Sequence, residues 1–204
     1  MIDRVMKSLL APVALALSAA FGLAACSDDR DGQDSASAVP ESADHNQADV
    51  DFATSMIQHH AQALSMVDLT VGRKVSPELQ ALAEQIRATQ GPEVEVMVDW
   101  LRDWDQPIPE TIRDHVNAHG GGHVATDDMP GMVSAEDLEE LGTARGAEFE
   151  DLFLEMMIEH HEGAIEMAED EREDGEHPET VDLAGTIIED QQAEIERMQG
   201  LLDD

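Results

Sequence analysis

A fifteen-residue pattern occurs twice in this chain, at a fixed separation. Residues 52 to 66 pass from Phe52 through Met56, Ile57, His59, His60, Ala63 and Leu64 to Met66. Residues 153 to 167 pass from Phe153 through Met157, Ile158, His160, His161, Ala164 and Ile165 to Met167, displaced by 101 residues without a gap. The same displacement carries Ser76-Pro77-Glu78 onto His177-Pro178-Glu179 and Gln90 onto Gln191. It also carries Glu93, Glu95 and Met97 onto Glu194, Glu196 and Met198. A constant offset over about fifty residues marks an internal duplication. The domain must therefore be built from two copies of one unit.

That unit has helical periodicity. Phe52, Met56, His59, Ala63 and Met66 are spaced 4-3-4-3 and fall on one stripe of a helix, with Ala53, Ile57, His60, Leu64 and Val67 on a second stripe beside it. Phe153, Met157, His160, Ala164 and Met167 repeat the first stripe. So wide an apolar face predicts a central, buried helix. The first should run from near Asp49 to about Val71, ended by Gly72. Ser76 then caps a second helix, with Pro77 at its first position, where a missing N–H costs nothing. That helix should reach about Trp104 with a kink at Gly91-Pro92. In the second copy the helices should span about Ala147 to Asp174 and Pro178 to Leu202, after a short helix begun by the capping box-like Ser134 to Asp137. No stretch has strand character. The expected fold is all-α: an antiparallel four-helix bundle of two duplicated hairpins, residues 49–104 and 134–204, forming one domain.

Two polar residues recur close to the apolar stripe of the second helix, Gln90 and Glu93 in one copy and Gln191 and Glu194 in the other. Either they partner the histidines of the neighbouring helix, or they lie at the rim in solvent.

The N-terminal region has a different character. Arg4 and Lys7 precede a short apolar run from Leu9 to Leu23, and Leu23-Ala24-Ala25 precedes Cys26, the one cysteine. The run is marginal for a membrane span, which needs about 20 apolar residues. It indicates export, with residues 1–25 as signal and Cys26 as a lipidated anchor in the manner of a bacterial lipoprotein; an uncleaved anchor or a plain secretory signal is the alternative. Residues 26–48, rich in Ser, Asp, Gln and Ala, form a tether without apolar period. A net charge of −35 argues against a nucleic-acid partner. It fits a solvated acidic shell.

Eleven Met and nine His against four Phe and no Tyr put thioethers and imidazoles where aromatics would usually fill space. If the two copies pack face to face, Met56, His59 and Met66 lie opposite Met157, His160 and Met167 in one interior zone. Di-iron bundles use Glu-x-x-His at this spacing, whereas here the motif is Met-x-x-His. Thioether sulfur selects soft Cu(I), and imidazole serves either copper state. Neighbouring helical residues diverge by about 100°, so His60 and His161 would need help from another helix to join one ion. The linker, residues 105–133, carries His115, His119 and His123 at four-residue intervals and then Met129 and Met132, a spacing suited to gathering metal. It is equally a polar connection with incidental histidines. A Met stripe can likewise be ordinary core. No nucleophile constellation or nucleotide loop points to an enzyme.

The frame F-x-x-x-M-I-x-H-H-x-x-A-[LI]-x-M, followed by L-A-x-x-I-x-x-x-Q-x-x-E-[VI]-E-x-M, resembles the family of domain of unknown function 305 over roughly residues 49 to 204. The resemblance implies a ferritin-like four-helix bundle, export and, for some members, periplasmic copper binding linked to copper tolerance. It places the family's His-His on His59-His60 and His160-His161, and its Met positions on Met56, Met66, Met157 and Met167. The resulting expectation is a lipid-anchored Cu(I) buffer or chaperone. Its core ligands would be Met56, His59, Met157 and His160, with a capture loop of His115, His119, His123, Met129 and Met132. A metal-free envelope module that meets an unidentified protein partner is the competing expectation, and a redox metalloenzyme the weaker third.

Overall fold

Six helices follow one another among the described residues, which are 44–116 and 129–203 of a computed structural model. They are α1 (Gln47–Asp68), α2 (Pro77–Asp103), α3 (Ile112–Val116), α4 (Ala135–Thr143), α5 (Ala147–Asp174) and α6 (Pro178–Leu202). The all-helical expectation holds, with no strand among the described residues. The signal, Cys26, most of the tether, His119 and His123 lie outside the described residues, as does the side chain of His115. No helix of the described residues is long and apolar enough to cross a membrane.

The helix ends follow from local chemistry. Asn46 accepts from the Asp49 backbone N–H at 3.2 Å and the Asp49 carboxylate accepts from the Asn46 N–H at 2.6 Å, a capping box that starts α1 two residues before the expected Asp49. The helix stops at Asp68 rather than Val71. There the N–H groups of Leu69 and Thr70 turn to the carbonyls of Met66 and Val67, three residues back, both at 3.0 Å. Ser76 Oγ accepts from the Leu79 N–H at 3.2 Å and starts α2, with Pro77 at its first position. Pro92 removes one helical N–H yet leaves α2 unbroken, because Leu82, Ile86, Met97 and Leu101 on either side are fully buried.

α1 packs on α2 and on α5, and α5 on α6. The core is divided into two apolar clusters. One joins Met66 and Val67 at the end of α1, Leu79, Leu82 and Ile86 of α2, Phe149, Phe153 and Met157 at the start of α5, and Met198 of α6. The other joins Phe52, Met56 and Ile57 at the start of α1, Met97 and Leu101 of α2, Ala164 and Ala168 of α5, and Ala184 and Ile187 of α6. The end of α1 thus meets the start of α5, so the two run antiparallel. Each large apolar side chain buried here stabilises the fold by about 1.5–3 kcal/mol. In every long helix buried polar residues lie between its two apolar contributions: His59 and His60, Gln90 and Glu93, His160 and His161, Gln191 and Glu194. A polar belt crosses the middle of the bundle.

Equivalent carboxylates tie the two copies together at the ends. Asp49, fully buried, accepts from the N–H of His177 at 2.9 Å and the Thr180 hydroxyl at 2.6 Å, holding the start of α6. Glu150, at the equivalent position, accepts from the Ser76 N–H at 3.0 Å and its hydroxyl at 2.6 Å, holding the start of α2. Each copy's first helix therefore caps the other copy's second. At the Asp49 end, His45 stacks on Trp104 with ring centroids 4.3 Å apart, Trp100 lies alongside Trp104, and His177 meets both indoles edge-on.

Candidate metal centre

His59 of α1 and His160 of α5 meet at the centre of the belt, with ring centroids 3.8 Å apart and planes inclined by 40°. Equivalent positions on antiparallel helices cross only at their midpoint, and these two residues occupy it. Both are fully buried. Burial pushes the His59 imidazolium down to about 3, and the charge of His60 adds to this while the Pro130 carbonyl opposes it. Burial, followed by the proximity of His59, holds His160 well below the ordinary histidine value. Both rings are neutral at any physiological pH, and a neutral imidazole keeps one nitrogen lone pair.

The partners decide which nitrogen keeps it. His59 Nε2 donates to the Pro130 carbonyl at 3.1 Å, so its Nδ1 holds the lone pair and has no partner. His160 makes no close hydrogen bond on either nitrogen, and only the His59 carbonyl touches it, weakly. His60 Nε2 lies 2.8 Å from a Glu93 oxygen, and His161 Nε2 lies 2.7 Å from a Glu194 oxygen. In each of these the Nδ1 is again buried without a partner. The recurrent glutamates therefore partner the histidines rather than lining the rim. The Gln90 and Gln191 amides are buried and unpartnered as well. Each orphaned buried polar group costs about 1–3 kcal/mol, and native proteins rarely carry so many in one layer. A histidine whose far N–H is held by a carboxylate or carbonyl while its other nitrogen is bare is the usual disposition of a metal-binding imidazole. The chemistry of this layer fits a metal ion.

The thioethers are divided rather than gathered in one place. Met66 and Met157 lie in the cluster on one side of the imidazoles, and Met56 in the cluster on the other, with half-buried Met167 packed against it. The antiparallel crossing of α1 and α5 produces this: residues one turn before each histidine point to opposite ends. Among the described residues no three His, Cys, Asp or Glu side chains converge closely enough to hold a metal ion alone. The centre is a pair of imidazoles with sulfur on either side, a low-coordinate arrangement suited to a soft ion.

One element of the site had no side-chain signature. Residues 129–133, from Met129 to Val133, lie across α1 and α5 directly over His59. The Gln62 amide grips the Val133 backbone twice, donating to its carbonyl at 2.9 Å and accepting from its N–H at 2.8 Å. At the position equivalent to Gln62, α5 has Gly163, and a Cβ there would collide with the Pro130 carbonyl. Gly131, at φ 70°, presses against the backbone of Glu159 and Gly163. Met129 and Met132, assigned to a capture loop, are half-buried in this strap. A glycine in mid-helix where the other copy has glutamine was the available signal, because an unexplained helical glycine marks a close approach.

Away from the belt, Glu171 is buried beside Asp49 and Thr180. Burial raises it to about 8, and the Asp49 charge adds to the shift while Thr180 opposes it. Burial acts on Asp49 too, but the Asn46 backbone, Thr180 and the His177 backbone outweigh it and leave that carboxyl below its ordinary value.

The profile of the Domain of unknown function (DUF305) family matches residues 49–202. A crystal structure of a DUF305 fragment from Deinococcus radiodurans superimposes with a TM-score of 0.66 at 30% identity, over 78% of this chain and 97% of that one. A DUF305 protein of Streptomyces coelicolor, described as secreted, gives 0.64 at 31% identity over 76% and 92%. CopM in its Cu(I)-bound form gives 0.60 at 29% identity over 76% and 95%, and the same protein is also matched in Cu(II)-bound, silver-bound and apo forms. Among curated proteins no relative was found.

Proposed function

The chain belongs to the DUF305 family, and from that premise we propose that it is an exported, lipid-anchored protein that binds copper, mainly Cu(I), as a buffer or chaperone rather than as an enzyme. The observation that carries the reading is the belt of unpartnered imidazole nitrogens on His59, His60, His160 and His161. The Cu(I)- and silver-bound forms of CopM, a structural neighbour, support a soft ion.

His59 and His160 would offer neutral nitrogens, with Met56 and Met157 one helical turn away on either side. Met66 and Met167 would lie beyond them. Glu93 and Glu194 hold the Nε2–H of His60 and His161 and so present Nδ1 for a ligand, which gives these two rings a place in the set. Cu(I) tolerates two or three soft ligands, so a pair of imidazoles with adjustable thioethers suffices. His115, His119, His123, Met129 and Met132 would gather the ion, and lipidated Cys26 would keep the domain at the membrane outside the cytoplasm. Nothing in the reading calls for nucleic acid. A metal-free envelope module is favoured by one observation, the lack of three converging His, Cys, Asp or Glu groups among the described residues.

The test is an anaerobic Cu(I) titration of the full chain against a chromophoric chelator. The same titration is run on a variant with Met56 and Met157 changed to Leu and His59 and His160 to Gln. Competition that disappears in the variant supports the belt site. Competition that persists moves the site to the linker, and none at all favours the metal-free module.

A further inference from the structure

The duplication gives the belt two equivalent central rings, but the strap hydrogen-bonds only one of them. The Pro130 carbonyl can only accept a hydrogen bond, so the 3.1 Å contact requires the proton of His59 to sit on Nε2. His160, the equivalent ring, makes no close hydrogen bond on either nitrogen and none to the strap; its one backbone contact is a weak one with the His59 carbonyl. The strap is positioned from both helices. Gln62 clamps Val133 on the α1 side, and Gly163 on α5 leaves the space that the Pro130 carbonyl occupies. The residues that hold the strap are themselves equivalent positions of the two copies, occupied by different amino acids.

We propose that Gly163 and Gln62 are positioning residues which, through the Pro130 carbonyl, lock His59 as the Nε2–H tautomer and aim its Nδ1 at a soft metal ion. His160 is left unlocked, so the two imidazoles take up metal unequally, His59 before His160. The proposal rests on the metal-binding reading for its second half only; the tautomer lock is a property of the metal-free protein. A fixed tautomer removes one of the two states that an imidazole must leave to bind, and preorganisation of this kind favours the locked ring.

The first measurement is the ¹⁵N signature of the ring nitrogens in the metal-free full chain. We expect His59 to show one protonated Nε2 and one bare Nδ1, with His160 averaged between two forms. In Gly163→Ala the new Cβ displaces the strap, and the His59 signals should average like those of His160. Alanine is the better helix former, so this variant keeps α5. Gly200→Ala, which meets nothing within 4 Å, should leave the rings unchanged and serves as the control. Gln62→Leu, which frees Val133 without adding bulk at Pro130, should reproduce the averaging. A His59 that stays in one tautomer in both Gly163→Ala and Gln62→Leu overturns the lock. Silver(I) is then titrated into the wild-type chain as probe. His59 Nδ1 should respond before His160, and the order should vanish in Gly163→Ala. Simultaneous response in the wild type overturns the unequal uptake. No response from either ring in the wild type overturns the belt as the metal site, and the unequal uptake with it, while the tautomer signature stands on its own.

Discussion

Glu93 and Glu194 each place a carboxylate oxygen within 2.8 Å of a buried histidine Nε2, 33 residues earlier in the chain in both cases. The equality of separation follows from the duplication. The consequence is that each hairpin carries its own buried polar pair, at the same height in the bundle. Removing one carboxylate leaves a buried imidazole N–H without its acceptor. Glu93→Ala and Glu194→Ala should therefore each lower stability by about 3 kcal/mol, read as a lower urea midpoint with an unchanged slope. Glu→Gln, which can still accept the hydrogen bond, should cost about 1 kcal/mol. A loss below the Gln value for either alanine variant would mean that the pair is solvated.

Occupancy of the belt should stabilise the fold in proportion to ligand excess. At a free Cu(I) or Ag(I) level of about 100 times the dissociation constant, the linkage relation gives about 2.7 kcal/mol. Calorimetry should show a rise in Tm of several degrees, absent when His59 and His160 are both changed to Gln. An equal rise in that double variant would place binding elsewhere.

Glu171 sets a pH dependence whose sign follows from its raised position. An acid raised to about 8 in the folded chain from 4.5 favours the protonated, folded state. Its contribution is full below pH 4.5, declines through neutrality and is gone above about pH 8. Asp49 acts in the opposite sense and only at acid pH, because its carboxyl is lowered: its contribution is present above the ordinary carboxylate value of 3.8 and is lost as the pH falls below it. The neutral variant Glu171→Gln should thus match the wild type near pH 5 and exceed it at pH 8 by about 2 kcal/mol, a figure reduced for solvent screening. Parallel stability curves for the two proteins from pH 5 to 8 would refute the assignment.

The equivalent caps should not be equivalent in energy. Asp49→Ala leaves the Asn46, Glu176 and His177 N–H groups without their acceptor in a fully buried setting, and the Thr180 hydroxyl with the His177 carbonyl alone. Glu150→Ala deprives only Ser76, at a half-exposed position. Chemical denaturation should show a loss of about 3 kcal/mol for the first and about 1 kcal/mol for the second. Equal losses would show that burial does not set the difference.

Much of this architecture is legible in the residues because the chain states it twice. The helices, the Ser76 cap and the inward His stripe are all periodic signals, and the recurrence of Gln90 and Glu93 as Gln191 and Glu194 marked polar positions near the stripe, of which the two glutamates partner histidines. What was not legible has a physical reason in each case. The stripe of a single helix does not reveal which way its neighbour runs, so the division of Met56 from Met157 between two clusters emerged only with the antiparallel crossing. The strap acts through a backbone carbonyl, which no side-chain pattern announces. Asp49 and Glu171 are two of 46 acidic residues, and nothing local distinguishes a buried carboxyl from a solvated one.

The ring cluster at the Asp49 end has a practical consequence. Both tryptophans of the chain, Trp100 and Trp104, belong to it, stacked and flanked by His45 and His177. Intrinsic emission therefore comes from a single extremity of the molecule, where imidazoles lie against the indoles. Fluorescence of this protein is a local optical reporter: it follows the junction of α1, α2 and α6, and the central imidazoles remain dark to it.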